Sequence, residues 1–440
     1  MEDYFSSLAD AITPLLRGEE VYLCNFAAEE SDFVRFNRNR VRQAGAVTQC
    51  WLTLDLIAGR RHAAGSLTLS RDFDSDRERL ALLIRGLRDK RAEVPDDPYL
   101  LYATDVRSRT RQQANRLPPA AEALVDVQRI GQGRDLVGLY AAGGIYNGFA
   151  NSLGQRNWTA TYSYNLDWSF YLSGDKAVKT SYAGFEWSTP TLERKAAEAS
   201  EQLSLLSRSA RTIAPGRYRA YLSPAAVFEL TDVLSWGGFG LRAHRTKTTP
   251  LLRMVEAGAQ LHPGITIQEN TAEGIAPDFQ DAGFLRPASV SLIEGGVYRD
   301  CLVSPRSAVE YGVPTNGAAA SEAPQSVDIA AGDLPPDDVL GELGSGIFVG
   351  NFWYLNYSDR SACRTTGMTR FATFWVEGGV IQAPLAPMRF DETVYRMLGE
   401  RLAGLTADRE MIFDADTYGR RSTRSARLPG VLVDELTFTL

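Results

Sequence analysis

Ser223–Pro250, SPAAVFELTDVLSWGGFGLRAHRTKTTP, opens as a helix and stops on glycine. Ser223 suits an N-cap, Pro224 suits the first helical position, and Val227, Leu230 and Leu234 at i, i+3 and i+7 form one apolar stripe. The pattern ends where Ser235 and Trp236 give way to Gly237, Gly238 and Gly240. Three glycines in four residues cost helix stability while letting backbone or ligand approach closely. The spacing therefore predicts a helix C-terminus running into a tight turn, with a glycine wall facing a substrate as the other reading.

Upstream, Thr189 to Ala210 reads as a long helix, and before it ATYSYNLDWSFYL carries the clearest strand signal in the chain. Tyr162, Tyr164, Leu166, Trp168 and Phe170 fall on one face at period two, and Ser163, Asn165, Asp167 and Ser169 on the other, as in a half-buried antiparallel strand. A helix over Pro118–Ile130, closed by Gly131, precedes it. The first hundred residues read as a helix near Tyr4–Leu16 and then strands around Glu20–Ala27, Ser31–Phe36, Val41–Leu56 and Ala63–Leu69. Arg35–Gln43, RFNRNRVRQ, suits a solvated hairpin, with a phosphate or peptide-carboxylate site as the minor reading. A helix from Asp74 carries the stripe Leu80, Leu83, Ile84, Leu87, and Val94–Pro98 ends the unit.

Downstream, Gly312–Asp338 is rich in Ala, Pro, Gly and acid, which is loop composition. A short helix through Leu340 leads to GIFVGNFWYLNY and TRFATFWVEGGVIQAPL, strands with a hairpin signal at Glu377–Gly379. The expected class is α+β: an N-terminal α/β region, residues 1–212 in two parts split near residue 100, then a strand-rich region, residues 213–440.

The 47 basic side chains are set against 54 acidic ones with no long block of one sign, which argues against a nucleic-acid or anionic-membrane surface. No signal-peptide pattern and no apolar run long enough to span a bilayer stands in the sequence, so the reading is cytoplasmic. Cys24, Cys50, Cys301 and Cys363 lack any CxxC spacing and read as reduced, buried thiols. His62, His244 and His262 are too far apart in sequence for a zinc helix, and no GxGxxG, Walker or GxSxG motif occurs.

Three phrases in order carry a resemblance: DAGFLRPASVSLIEGGVYRDCLVSPRSAVEYGVPTNGAA (Asp281–Ala319), GDLPPDDVLGELGSGIFV (Gly332–Val349) and RTTGMTRFATFWVEGGVIQAPL (Arg364–Leu385). With them the chain resembles, over nearly its whole length, the TldD/PmbA family, peptidase family U62, known as metallopeptidases or "modulators of DNA gyrase". The resemblance implies a curved antiparallel sheet in the strand-rich C-terminal domain and paired subunits, of which the TldD kind carries an HExxxH zinc helix and a later cysteine ligand, and the PmbA or TldE kind does not. Here Ser235, Trp236 and Gly240 stand at the positions of the first His, the Glu and the second His, and Tyr418 at that of the cysteine. GMTR replaces the acidic phrase usual after Thr366, and no arginine follows Asn316.

The resemblance thus implies a TldE-like subunit with no catalytic or metal residue of its own, supporting peptide cleavage or maturation by a zinc-bearing TldD-like partner. Zinc is expected in the partner, and an unfolded peptide is expected to be held as an added strand. Candidate groove residues are Ser235, Trp236, Gly237, Gly238, Gly240, Arg364, Thr365, Thr366 and Gly367. The alternatives are a homodimeric or larger peptide-binding or regulatory protein without hydrolysis, and an enzyme with an unrecognised site near Arg364–Gly367 or His244. Phe352, Trp353, Tyr354 and Tyr357, alternating over both faces of one strand, suggest a buried second layer or an assembly surface.

Overall fold

The computed structural model describes residues 1–174 and 176–439. A seven-stranded sheet takes its strands from the first 184 residues: β1 (Val21–Asn37), β2 (Arg40–Ala58), β3 (Arg61–Thr68), β4 (Arg109–Gln112), β5 (Asp135–Asn151), β6 (Arg156–Ser173) and β7 (Lys176–Gly184). The order is β3-β2-β1-β5-β6-β4, with β7 also on β6. Strands β1 and β2 turn through Arg38 and Asn39, at φ 51° and 54°; two consecutive left-handed residues match the twist of a tight hairpin, and the basic hairpin is solvated.

Four helices, α1 (Glu2–Ile12), α2 (Phe73–Glu93), α3 (Ala120–Ile130) and α4 (Thr189–Leu206), cover one face of this sheet. Phe5, Leu8, Leu80, Ile84 and Leu87 bury against Tyr22, Phe26, Leu52 and Leu54, while α3 and α4 pack on Tyr140, Tyr164, Leu166 and Trp168. Asp72 caps α2 by accepting from the Ser75 N–H. The opposite face, with Leu23, Asn25, Glu29 and Asn147, turns toward the C-terminal half.

From Gly216 the chain builds two sheets around one helix. Strand β8 (Gly216–Leu222) feeds α5 (Pro224–Ser235), then the short helices α6 (Leu241–Arg245) and α7 (Leu252–Ala257). Next come β9 (Ile267–Glu269), β10 (Val290–Glu294), β11 (Val297–Tyr298), α8 (Pro305–Tyr311) and β12 (Ser326–Ile329). Helix α9 (Val339–Leu343) precedes β13 (Gly346–Val349), β14 (Phe352–Asp359), β15 (Arg364–Thr369), β16 (Thr373–Glu377) and β17 (Val380–Pro384). Strands β18 (Arg389–Thr393), β19 (Leu402–Leu405), β20 (Glu410–Phe413), β21 (Ser425–Leu428) and β22 (Val431–Phe438) follow.

One sheet runs β11-β10-β9-β12-β21-β20, the other β14-β15-β18-β22-β8-β13-β16-β17 with β19 on β22. Pairing is antiparallel except at β8–β13 and β12–β21, so both C-terminal sheets are mixed. Helix α5 contacts β8 and β14 of one sheet and β20 and β21 of the other. Its Ala226, Val227, Leu230 and Leu234 are buried in the largest apolar core. The fold is α+β, and no helix among the described residues is long and apolar enough to cross a membrane.

Several sequence expectations change. Val21–Asn37 is one strand, because Glu29 and Ser31, which look like a break, are buried and paired in register with β2 and β5. The glycine-rich Asp135–Asn151, which carries no clear strand signal, is the central strand β5. At Gly143, φ is 148° and an added Cβ would lie 2.0 Å from the Glu30 carbonyl oxygen, so glycine is the cost of a close strand approach. Strand β6 is buried on both faces: Ser163 is fully buried and Asn165 nearly so, under the C-terminal half. The Gly312–Asp338 segment contains β12, all four of whose residues are buried.

Candidate functional site

Alternate residues of β1, β2, β3 and β5 leave a shallow floor on the open sheet face, because small side chains such as Ala27, Ala64 and Ser66 stand there among Asn25, Thr53 and Asn147. Loops from the C-terminal half, Pro277–Ala282, Ala319–Ala320 and Tyr418–Arg421, and the start of α8, Ser304–Arg306, form the other wall. Between them lies a groove of about 960 Å³, at the upper end of the roughly 300–1,000 Å³ usual for small-molecule sites and large enough for a stretch of peptide. One side is bounded by β3, the outermost strand of its sheet.

Charged groups cross the groove as a ladder. His62 Nδ1 lies 2.9 Å from Asp55, its Nε2 3.4 Å from Asp97, and Asp97 pairs at 2.8 Å with Arg306 of α8, whose guanidinium stacks over Tyr99. Burial raises the Asp55 carboxyl above its ordinary value, with His62 offsetting part of that rise. At Asp97 burial pushes the same way but is outweighed by the Tyr99 N–H, Arg306 and His62, which hold the carboxyl below its ordinary value.

The far wall is a strap, Asp414–Arg424, between β20 and β21. Arg421 pins it: the guanidinium is 5% exposed and donates to the Gly143 carbonyl and to the carbonyl and hydroxyl of Ser163, on the polar face of β6. Its own N–H donates to buried Glu29, and Gln49 Nε2 donates to both Glu29 and the Gly419 carbonyl. Burial lowers the Arg421 pKa to about 10. Tyr418, at the tip, is 95% exposed.

None of the nine candidate residues lines this groove. Trp236 caps α5 with its ring exposed, and Gly237 turns the chain at φ 72°. Gly238 and Gly240 are enclosed: an added Cβ would lie 2.2 Å from the Leu234 carbonyl oxygen at the first and 2.8 Å from the Glu322 Cβ at the second. Close packing is thus the physical reason for glycine at these two positions, and neither presents an open wall.

Arg364, Thr365, Thr366 and Gly367 lie on β15, where Arg364 pairs with Asp391 and both threonine hydroxyls donate to carbonyls of β18. The two groups do approach one another at the end of β14. Tyr357, opposite Thr365, donates to the Val233 carbonyl, and Arg360 donates to the carbonyl of Trp236. Apart from His62 and Tyr418, sequence reasoning missed the groove residues, which come from nine separate segments; the local signal was the small and polar alternation along β1 and β3.

Residues 215–440 match the family model for the PmbA/TldA metallopeptidase C-terminal domain, just over half of the chain. The chain belongs to the TldD/PmbA family. The whole fold is similar to that of a proposed modulator of a DNA gyrase from Thermotoga maritima, with a TM-score of 0.77, 13% identity and 100% of each chain covered. It is equally similar to TldE from Thermococcus kodakarensis, with a TM-score of 0.77 and 13% identity over 99% of this chain and 100% of that one. A proposed modulator of DNA gyrase from Bacteroides thetaiotaomicron follows, with a TM-score of 0.74 and 15% identity over 99% and 98%. No curated protein matches by sequence.

In this TldD/PmbA protein the positions that the resemblance assigns to zinc ligands do not hold a donor set. The Ser235 hydroxyl donates back to the Thr231 carbonyl at 2.7 Å, and the space beside Gly240 is filled by Glu322. Glu322 Oε1 accepts from the Ser304 N–H and hydroxyl and Oε2 from the Arg242 N–H, so this carboxylate knits the starts of α6 and α8 together. His244 has both ring nitrogens engaged, with the Gly238 carbonyl and the Tyr298 hydroxyl, and burial lowers its pKa. Among the described residues no three His, Cys, Asp or Glu side chains converge to hold a metal ion. The four cysteines are free and buried, which raises their thiol pKa values.

Proposed function

We propose that this chain is a TldE-like subunit that holds a peptide for a zinc-bearing TldD-like partner and brings no catalytic group of its own. The observation that carries this reading is the groove: it holds about 960 Å³, is bounded by the outermost strand β3, and has polar lining side chains already bonded within the protein, Ser66 to Thr53 and Ser304 to Glu322 behind the wall. An edge strand beside a groove of this volume suits an added peptide strand, which is read by its backbone. The glycine turn of α5, packed behind the Ala319–Glu322 loop, shapes that wall and faces no peptide directly.

The test is reconstitution. The purified chain is expected to hold no stoichiometric zinc and to cleave no unfolded peptide, and to raise cleavage when a zinc-bearing partner is added. Ala64→Trp, which fills the groove from an exposed position on β3, is expected to reduce cleavage by the pair at least about tenfold with an unchanged circular dichroism spectrum. About one zinc per chain, lost in His244→Ala or His262→Ala, overturns the metal-free reading. Full activity in the Ala64→Trp pair overturns the groove.

A second reading, a homo-oligomeric peptide-binding protein without hydrolysis, is favoured by one feature. β14 is an outer strand of its sheet, and it presents Trp353 and the 74%-exposed Tyr354 beside Met368 of β15. Pull-down from the native host separates the two readings.

A further inference from the structure

Behind the strap, away from the groove, a second cavity of about 270 Å³ lies between β6 and β7 of the first sheet and the side of α5. Its walls carry four carboxylates: Asp167 of β6, Glu229 and Asp232 one turn apart on α5, and Asp414 at the start of the strap. Two of them are committed. Arg424 pairs with Asp232 and reaches Asp414 at 3.7 Å.

The other two make no direct ion pair. Among the described residues neither Asp167 nor Glu229 has a basic nitrogen within ion-pair distance; Asp167 accepts one hydrogen bond, from the Asn165 amide at 2.9 Å, and Lys179 stands exposed on the wall. Burial raises the Asp167 carboxyl to about 6 and raises Glu229 as well, with the nearby charge of Lys179 offsetting only part of each rise. A third observation is independent of the acids. Asn351 is 5% exposed, lines the cavity, and its side-chain amide makes no hydrogen bond among the described residues. The amide thus opens onto the cavity and is free to bond to whatever enters it.

The shape of the donor set decides the ligand class. No three acidic side chains come close enough together to coordinate a metal ion among the described residues. The acceptors are spread over two sheet strands, a helix and the residue before β14, which suits a cation whose charge is shared among several N–H donors. The volume exceeds the roughly 30 Å³ share of one water severalfold.

We propose that this cavity binds an organic cation, an ammonium or guanidinium group carried by a small amine or by a basic side chain, ion-paired to Asp167 and Glu229 and oriented by the Asn351 amide. Lys179 at the wall is its competitor. This inference stands apart from the peptide-holding role and needs no partner subunit.

The test is calorimetry on the intact chain at near-neutral pH and low salt with agmatine, with the peptide Ala-Ala-Arg-Ala-Ala, and with Ala-Ala-Gln-Ala-Ala as the neutral control. Agmatine is expected to bind saturably and the neutral peptide not to bind. The double variant Asp167→Asn, Glu229→Gln is expected to weaken agmatine at least about tenfold, and Lys179→Gln to tighten it. Circular dichroism checks folding, and Asn351→Leu, which leaves both carboxylates in place, is a second variant expected to weaken binding. Agmatine alone binding assigns the site to small amines; tighter binding of the arginine peptide assigns it to basic side chains. Absence of saturable agmatine binding at millimolar concentration, equal binding of the neutral peptide, or full affinity in both the double variant and Asn351→Leu overturns the proposal.

Discussion

At the scale of single residues, Gly240 and Glu322 depend on each other. Glu322 sits at φ 53°, a strained conformation for a side chain with a Cβ, and three accepted hydrogen bonds hold it there. A side chain at position 240 has no room, because its Cβ would meet Glu322. Gly240→Leu is expected to cost about 1–3 kcal/mol by overpacking, and Glu322→Ala about 2–4 kcal/mol through the lost bonds. The two changes touch one space, so the double variant should be more stable than the sum of the single costs. Chemical denaturation measures all three, and strict additivity would show that the side chains do not share that space.

Among elements, α2 and the strap offer two more measurements. Arg88 bonds both oxygens of Glu20 at 2.7 and 2.8 Å and holds its carboxyl at about 2 against an ordinary 4.5; burial opposes this, and Arg91 reinforces it. A depressed folded pKa means stabilisation that is fully present above pH 4.5 and lost as pH falls through 2. Glu20→Gln is therefore expected to flatten the pH dependence of stability over that window, and an unchanged acid limb would remove Glu20 from the account. For the strap, Arg421→Ala leaves the Gly143 and Ser163 carbonyls buried without their donor. Limited proteolysis should then cut within Asp414–Arg424 at least several times faster, while Arg421→Lys, which keeps the charge but not the fork, should fall between.

The same scale shows what the sequence made legible. Helix α5 and the β16–β17 hairpin were readable because their signals are local: a serine cap with a proline behind it, and Gly378–Gly379 at φ 57° and 75°. Strand β5 was not, since its glycines answer to neighbours far along the chain: Gly148 is glycine because Phe5 lies against it. Strand β12 is too short for a period to emerge from acid- and alanine-rich surroundings. The groove was invisible for a related reason, because Ala64, Asn147 and Arg421 each look ordinary until the fold brings them together.

For the whole molecule, the edge strand β14 bears on assembly. Trp353, under the Arg370 guanidinium at 3.6 Å, and Tyr354 form an exposed aromatic pair on a strand with one unpaired side. Trp353→Ser with Tyr354→Ser is expected to shift any self-associated or partner-bound form toward monomer in light scattering at micromolar concentration. A chain that is already monomeric and takes up no partner would remove this surface from the account.

The strap has one further consequence, in the language of linked equilibria. Its tip forms a wall of the groove, and its two ends carry Asp414 and Arg424 beside the second cavity, so a single segment borders both spaces. If an occupant of the groove binds one arrangement of the strap more tightly than another, it must change the cavity's affinity for its own ligand by some factor, and that ligand must change the occupant's affinity by the same factor. A buried guanidinium bonded to two carbonyls of another sheet then sets the stiffness of that coupling: the more firmly Arg421 holds, the nearer the factor lies to one.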